Sequence, residues 1–221
     1  MTRELQAGRR GAERGAARQA VVLLHGYGAD GADLLGLADP LAPHMPGTAF
    51  WAPDAPEPCA AAPMGRQWFP IPWIDGSSEA ASMEAMARAA ADLDAFLDGV
   101  LAEEGLSADR LALFGFSQGT MMALQVAPRR PEPVAGIAAF SGRLLAPERL
   151  GEAVSRPAVL LLHGDADDVV PYAAMDEAAE HLAGAGFETA TFTMPGTGHG
   201  IAPDGLGQAV AFLRGRLGLR G

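Results

Sequence analysis

One serine stands between two glycines in Gly115-Phe116-Ser117-Gln118-Gly119. The residues ahead of it, Leu111 to Phe114, read as a buried strand, and those after it as a helix. A sharp strand-to-helix turn holds its serine in strained backbone angles and crowds the flanking positions. Glycine on both sides removes the Cβ atoms that would clash. A serine in this G-x-S-x-G setting is lifted above the strand ends at a helix N-terminus. There the N–H of Gln118 points to where an oxyanion would form. The chemistry implied is nucleophilic attack on an acyl group.

A serine hydroxyl needs a base. Of five histidines, His25 and His163 each follow an apolar run in an LLHG segment and read as loop braces. His44 lies in a proline-bordered loop and His181 late in a helix. His199, in the glycine-rich MPGTGHGI loop, follows the last strand and is the expected base. The chain order Ser, Asp, His then requires an acid between Ser117 and His199. Asp165, Asp167 and Asp168, in HGDADDVVP, follow a strong strand, and spacing alone leaves all three open. A second oxyanion donor is expected from the HGYGAD loop, as the backbone N–H of Tyr27.

These residues need a scaffold. Continuous apolar runs at 20–26, 48–56, 110–117, 134–142 and 157–165 alternate with amphipathic stretches, and ETATFTM reads as a sixth strand. Met83, Met86, Ala90, Leu93 and Leu97 recur at helical spacing, which predicts a long helix over 79–103. Further helices are expected over 118–126, 173–183 and 205–217. Apolar strands alternating with helices form a mostly parallel sheet covered on both faces, an α/β fold whose ligands lie at the carboxyl ends of the strands. The candidate residues fall at those ends. Residues 1–19, arginine-rich and poorly patterned, are expected to be a variable, solvated lead-in to a single domain over 20–221.

Composition narrows the function. With 49% hydrophobic and 19% charged residues over 221 positions, the chain can bury one core. A net charge of −11 disfavours nucleic acid and anionic membranes. All basic side chains other than histidine are arginine, which removes lysine from any mechanism. The lone Cys59 allows no internal disulfide and fits the cytoplasm. No apolar run is long enough for a membrane span, and the N-terminus lacks the apolar core of a secretory signal. The oligomeric state is open, a homodimer included.

Taken together, LLHGYGADGADL, FWAPDAP, WFPI, GFSQGTMMAL, AFSGRL, LLHGDADDVVPY and GTGHGI resemble the carboxylesterase/phospholipase family of α/β-hydrolases, which includes the acyl-protein thioesterases. The likeness runs from about Val21 to Leu217. It implies an α/β-hydrolase fold, and its H-G-x-x-D-x-x-V-P motif assigns the acid to Asp167, with Asp165 and Asp168 as bystanders. It also supports the N–H groups of Tyr27 and Gln118 as the oxyanion hole. Trp68 and Phe69 match a segment that lines the family's acyl pocket.

The expected function is therefore a serine esterase acting through Ser117, His199 and Asp167 on a small-molecule ester, with no cofactor or metal. Trp68, Phe69 and Trp73, in one proline-stiffened segment, are expected to narrow the acyl pocket towards short-to-medium chains. The prolines and glycines over 67–78 argue against a lid helix there. The same three residues would serve a thioesterase or lysophospholipase. A catalytically silent binding protein of this fold would usually lack one of them.

Overall fold

The computed structural model describes residues 2–219. In chain order its strands and α-helices are β1 (Ala7–Gly11), β2 (Gln19–Leu24), α1 (Gly31–Leu35), α2 (Ala38–Leu41), β3 (Thr48–Pro53), β4 (Glu57–Pro58), β5 (Arg66–Gln67), α3 (Pro72–Asp75), α4 (Glu79–Glu104), β6 (Leu111–Phe116), α5 (Gln118–Val126), β7 (Gly136–Phe140), β8 (Val159–Gly164), α6 (Ala173–Gly184), β9 (Thr189–Met194) and α7 (Pro203–Arg216).

Seven strands form one sheet in the order β1-β3-β2-β6-β7-β8-β9, and only β1 runs antiparallel. The unalternated apolar runs behave as expected of strands covered on both faces. In β2, Ala20, Val22 and Leu24 enter one core with α4, α5 and α6, while Val21 and Leu23 enter a second with α1, α2 and α7. The long helix α4 starts where the Ser78 hydroxyl accepts the Ala81 N–H. It ends at Gly105 in the left-handed region, whose N–H returns to the Leu101 carbonyl.

The arginine-rich lead-in, expected to be solvated and partly ordered, contributes a strand to the sheet. Residues 7–11 pair in register with β3 as the edge strand β1. The reason lies far along the chain. Both oxygens of the buried Glu104 accept from Arg9, at 2.7 and 3.0 Å, and the Trp51 indole N–H donates to it at 2.8 Å. The hydrogen bonds from Arg9, more than burial opposes them, hold the Glu104 carboxyl below its usual range. Arg9 and Arg14 also lie over the Trp51 ring. In the 67–78 segment, Pro72 opens a single helical turn, α3, closed by Gly76 in the left-handed region.

Candidate active site

At the end of β6 the chain turns into α5 through Ser117, whose φ of 54° and ψ of −116° lie outside the regions serine favours. The turn is held by a hydrogen bond from the Ser117 N–H to the Phe140 carbonyl at the end of β7. The flanking glycines are demanded by space. A Cβ on Gly115 would fall 2.6 Å from the Thr120 backbone, and one on Gly119 would fall 1.9 Å from the Leu24 carbonyl oxygen.

His199, on the loop after β9, reaches this serine. Its Nε2 lies 3.0 Å from Ser117 Oγ and its Nδ1 lies 2.8 Å from Asp167 Oδ2. The Asp167 side chain is fully buried on the loop after β8. Its Oδ1 accepts the N–H groups of Val169 and Val170, each at 2.9 Å. Burial pushes its carboxyl up, but the bonds from His199, Val170 and Val169 outweigh that and leave it below the usual range. An ionised Asp167 only accepts, so Nδ1 of His199 carries the proton. Nε2 is then left to accept from the Ser117 hydroxyl. Phe116 packs against the imidazole, with ring centroids 5.0 Å apart.

The neighbouring carboxylates do other things. Asp165 Oδ1 accepts the Gly196 N–H at 2.6 Å and so braces the His199 loop, a role beyond that of a bystander. Asp168 is exposed. His44 and His181 are also exposed, away from this cluster.

Tyr27 and Gln118 lie on the two loops expected to face the serine. Among the described residues, no protein acceptor takes either backbone N–H. The Tyr27 hydroxyl is buried beside Cys59 without a hydrogen bond of normal geometry. Burial first, and Cys59 next, push this phenol up to about 12, so it stays neutral. His25 braces the Tyr27 loop. Its Nε2 accepts the Ala55 N–H at 2.9 Å, and its Nδ1 donates to the Gly26 carbonyl at 2.8 Å.

Sequence reasoning missed the side chain of Gln118. Its Oε1 accepts the Trp68 N–H and its Nε2 donates to the Phe69 carbonyl, both at 2.8 Å. The amide so pins the aromatic segment to the serine turn. The only signal was a polar residue in an apolar helix start, which does not reveal its partner.

The three aromatics do not share one wall. Trp68 is fully buried, donates its indole N–H to the His25 carbonyl at 3.0 Å, and packs against the His25 ring. It is a core brace and not a pocket residue, because its indole finds its polar partner beneath the loop. Phe69 and Trp73 line an apolar cavity of about 410 Å³ together with Ile71, Met83, Met86 and Leu145. Trp73, on α3, is 74% exposed, so it can only form the mouth of that cavity.

A parallel sheet whose strand ends carry a serine on a strained elbow, a histidine and a buried aspartate defines an α/β-hydrolase. The chain belongs to the phospholipase/carboxylesterase family, whose model matches residues 11–216, and it is a serine hydrolase. It is 44% identical in sequence to the crystal structure of esterase PE8, with a TM-score of 0.91 over 97% of this chain and 100% of that one. Esterase YpfH of Escherichia coli is 29% identical over 202 residues, covering 90% of this chain and 83% of its own. Acyl-protein thioesterase 1 of Neurospora crassa is 32% identical over 187 residues, 80% of this chain and 72% of its own. Among the described residues, no helix is long and apolar enough to cross a membrane.

Proposed function

We propose that the chain hydrolyses carboxylic esters of short-to-medium acyl chains, with Ser117 as nucleophile, His199 as base and Asp167 as its orienting acid. The observation that carries this reading is the continuous hydrogen-bonded line from Ser117 Oγ through His199 to Asp167, at 3.0 and 2.8 Å. Ser117 Oγ attacks the acyl carbonyl as His199 Nε2 takes its proton, and buried Asp167 stabilises the imidazolium. The N–H groups of Tyr27 and Gln118 receive the oxyanion. The proton passes to the leaving alkoxide, and an acyl-serine forms. A water, deprotonated by His199, attacks the ester carbon, and the acid leaves as Ser117 regains its proton.

The chain-length preference rests on the cavity of about 410 Å³, small among ligand sites and walled by Phe69, Met83, Met86 and Leu145. The Phe69 carbonyl is tied to Gln118, next to the nucleophile, so one wall residue of the cavity is anchored to the serine turn. A thioester reading is favoured by the likeness to acyl-protein thioesterase 1. The two differ in leaving group, not in machinery.

Ser117→Ala should keep the fold and lose about 10⁴-fold or more in kcat/KM on p-nitrophenyl esters. Activity within tenfold of wild type would sink the assignment. A series from two to sixteen carbons, with an acyl-CoA and a lysophospholipid alongside, tests the substrate. A peak at sixteen carbons would overturn the short-chain reading, and a higher kcat/KM on the thioester would favour the second.

A further inference from the structure

His163 is the last residue but one of β8 and is 1% exposed, so its ring has no access to water. Its Nε2 faces two oxygens. One is the Val170 carbonyl, at 3.0 Å and in hydrogen-bond geometry. The other is Asp167 Oδ2, at 3.2 Å. That oxygen is the one that accepts from His199 Nδ1. An unprotonated Nε2 would set a lone pair against two acceptors in a dry site, so this nitrogen must carry a proton. Its N–H points at the Val170 carbonyl, and the same positive edge lies against Asp167 Oδ2.

We infer that His163 is a positioning residue for the Ser117–His199 pair: its Nε2–H fixes the 167–170 turn and holds the Asp167 carboxylate in place against His199. The logic is that of a clamp with two jaws. Asp167 Oδ1 is held by the N–H groups of Val169 and Val170. Those two amides stay aimed at it only while the turn keeps its shape, and the bond from His163 to the Val170 carbonyl closes that turn. Oδ2 then has His163 on one side and His199 on the other. The N–H of His163 draws on the charge of Oδ2, which favours a proton that stays on His199 when its imidazolium forms.

Among the described residues, no other group competes for this role. Around the pair, Asp165 is engaged by the Gly196 N–H and Asp168 is exposed. The Tyr172 hydroxyl from the next helix is bonded to Thr193 Oγ1 at 2.6 Å, and its ring meets His163 edge-on. His163 makes no contact with the acyl group in the proposed reaction, so it acts through Asp167 alone.

The inference rests on the proposed triad, and its test separates the two. The readout is the rate at which a fluorophosphonate labels Ser117 across pH 5–9, which needs no knowledge of the natural substrate. His163→Leu removes the N–H. His163→Gln keeps an amide N–H that reaches the same carbonyl. The expected result is labelling slowed roughly 10- to 100-fold in His163→Leu, in the range of outer-shell partners elsewhere. Its acid limb should move to higher pH, because a carboxylate relieved of one donor pulls harder on the His199 proton. His163→Gln should recover most of the rate and the wild-type limb. On ester substrates the loss should fall on kcat with KM little changed.

Wild-type rate and limb in a folded His163→Leu would overturn the inference, as would a folded His163→Gln as slow as His163→Leu. Should His163→Leu fail to fold, ¹⁵N chemical shifts of His163 in the wild type decide. A proton on Nε2 across this pH range upholds the inference, and one on Nδ1 alone overturns it. If wild type itself is not labelled, the triad reading fails, whichever tautomer His163 shows.

Discussion

The chain uses the tetrapeptide LLHG twice, at Leu23–Gly26 and at Leu161–Gly164, each at the carboxyl end of a parallel strand. Both histidines are buried, at 0% and 1% exposure. Their chemistry is opposite. His25 Nε2 accepts a backbone N–H from Ala55, so its proton sits on Nδ1. His163 Nε2 faces the Val170 and Asp167 oxygens, so its proton sits on Nε2. The strand decides where such a histidine stands, and the loop opposite decides which nitrogen is a donor. Four residues after His163 comes Asp167, inside the site. Four after His25 comes Ala29, and the next residue, Asp30, turns away to cap α1 by accepting the Asp33 N–H. One LLHG loop holds the proposed acid, and the other holds the proposed oxyanion donor.

The largest effect should come from the carboxylate that separates the two loops. Asp167→Asn is expected to lower kcat about 10⁴-fold, because asparagine cannot stabilise imidazolium and can hold the wrong tautomer. Asp165→Asn keeps an oxygen for the Gly196 N–H and should cost well under tenfold, and Asp168→Asn should be silent. Kinetics of the three variants side by side check this. Asp165→Asn as the worst of the three would break the assignment.

The glycine after each histidine gives a second, smaller contrast. A Cβ on Gly164 would meet the Thr197 carbonyl oxygen at 2.1 Å and that of Gly198 at 2.6 Å, which are backbone atoms of the His199 loop. A Cβ on Gly26 would meet Phe116 and the Ser117 Cβ at 3.2 Å, a tight but adjustable fit. Gly164→Ala should therefore displace His199, costing about 10²-fold in rate for a shift near 1 Å, and about 1–3 kcal/mol of stability. That corresponds to a Tm lower by roughly 2–12 °C for a chain of this size. Gly26→Ala should move Tm by about 2 °C or less, on the same scale. Equal losses in both would show that the two loops are equally rigid and remove the distinction.

The legible parts of this molecule are those in which a local rule forces a residue type. Gly115 and Gly119 had to be glycine because of the elbow, and the strands around the site read as unbroken apolar runs because both faces are covered. Helix α4 announced itself through its spacing. What stayed hidden depends on partners far along the chain. Strand β1 reads as a polar lead-in because its Arg9 is drawn in by Glu104, ninety-five residues away. Spacing alone left Asp165, Asp167 and Asp168 open; the family motif implied Asp167, the carboxylate at which a local turn aims the N–H groups of Val169 and Val170. The three aromatics of 68–73 seemed one wall, yet Pro70 and Pro72 redirect the chain between them. Trp68 goes under the Tyr27 loop and Trp73 into solvent.

The smallest effect concerns the first of the two histidines and is read by pH. Burial, only partly opposed by the Gly26 carbonyl and by Asp54, Asp30 and Asp33, lowers the pKa of His25 below its ordinary 6.5. The unfolded chain therefore takes up this proton before the folded one does. The stability due to a neutral His25 is complete above about pH 6.5 and is lost as pH falls below it. Asp167 and Glu104, both held low, act in a separate window. Their contribution is present above the ordinary carboxyl range and is lost as pH falls beneath it, from about 4.5 down. The urea midpoint of the wild type should thus decline in two stages between pH 8 and 3. The upper stage should have a slope of at most ~1.4 kcal/mol per pH unit, the value for one proton. His25→Gln keeps an acceptor for the Ala55 N–H but cannot be protonated. It should flatten the stage just below about pH 6.5 and leave the lower one intact. A wild-type slope in that variant would mean that another group carries the upper stage, and that the neutral state of His25 is not what the first LLHG loop depends on.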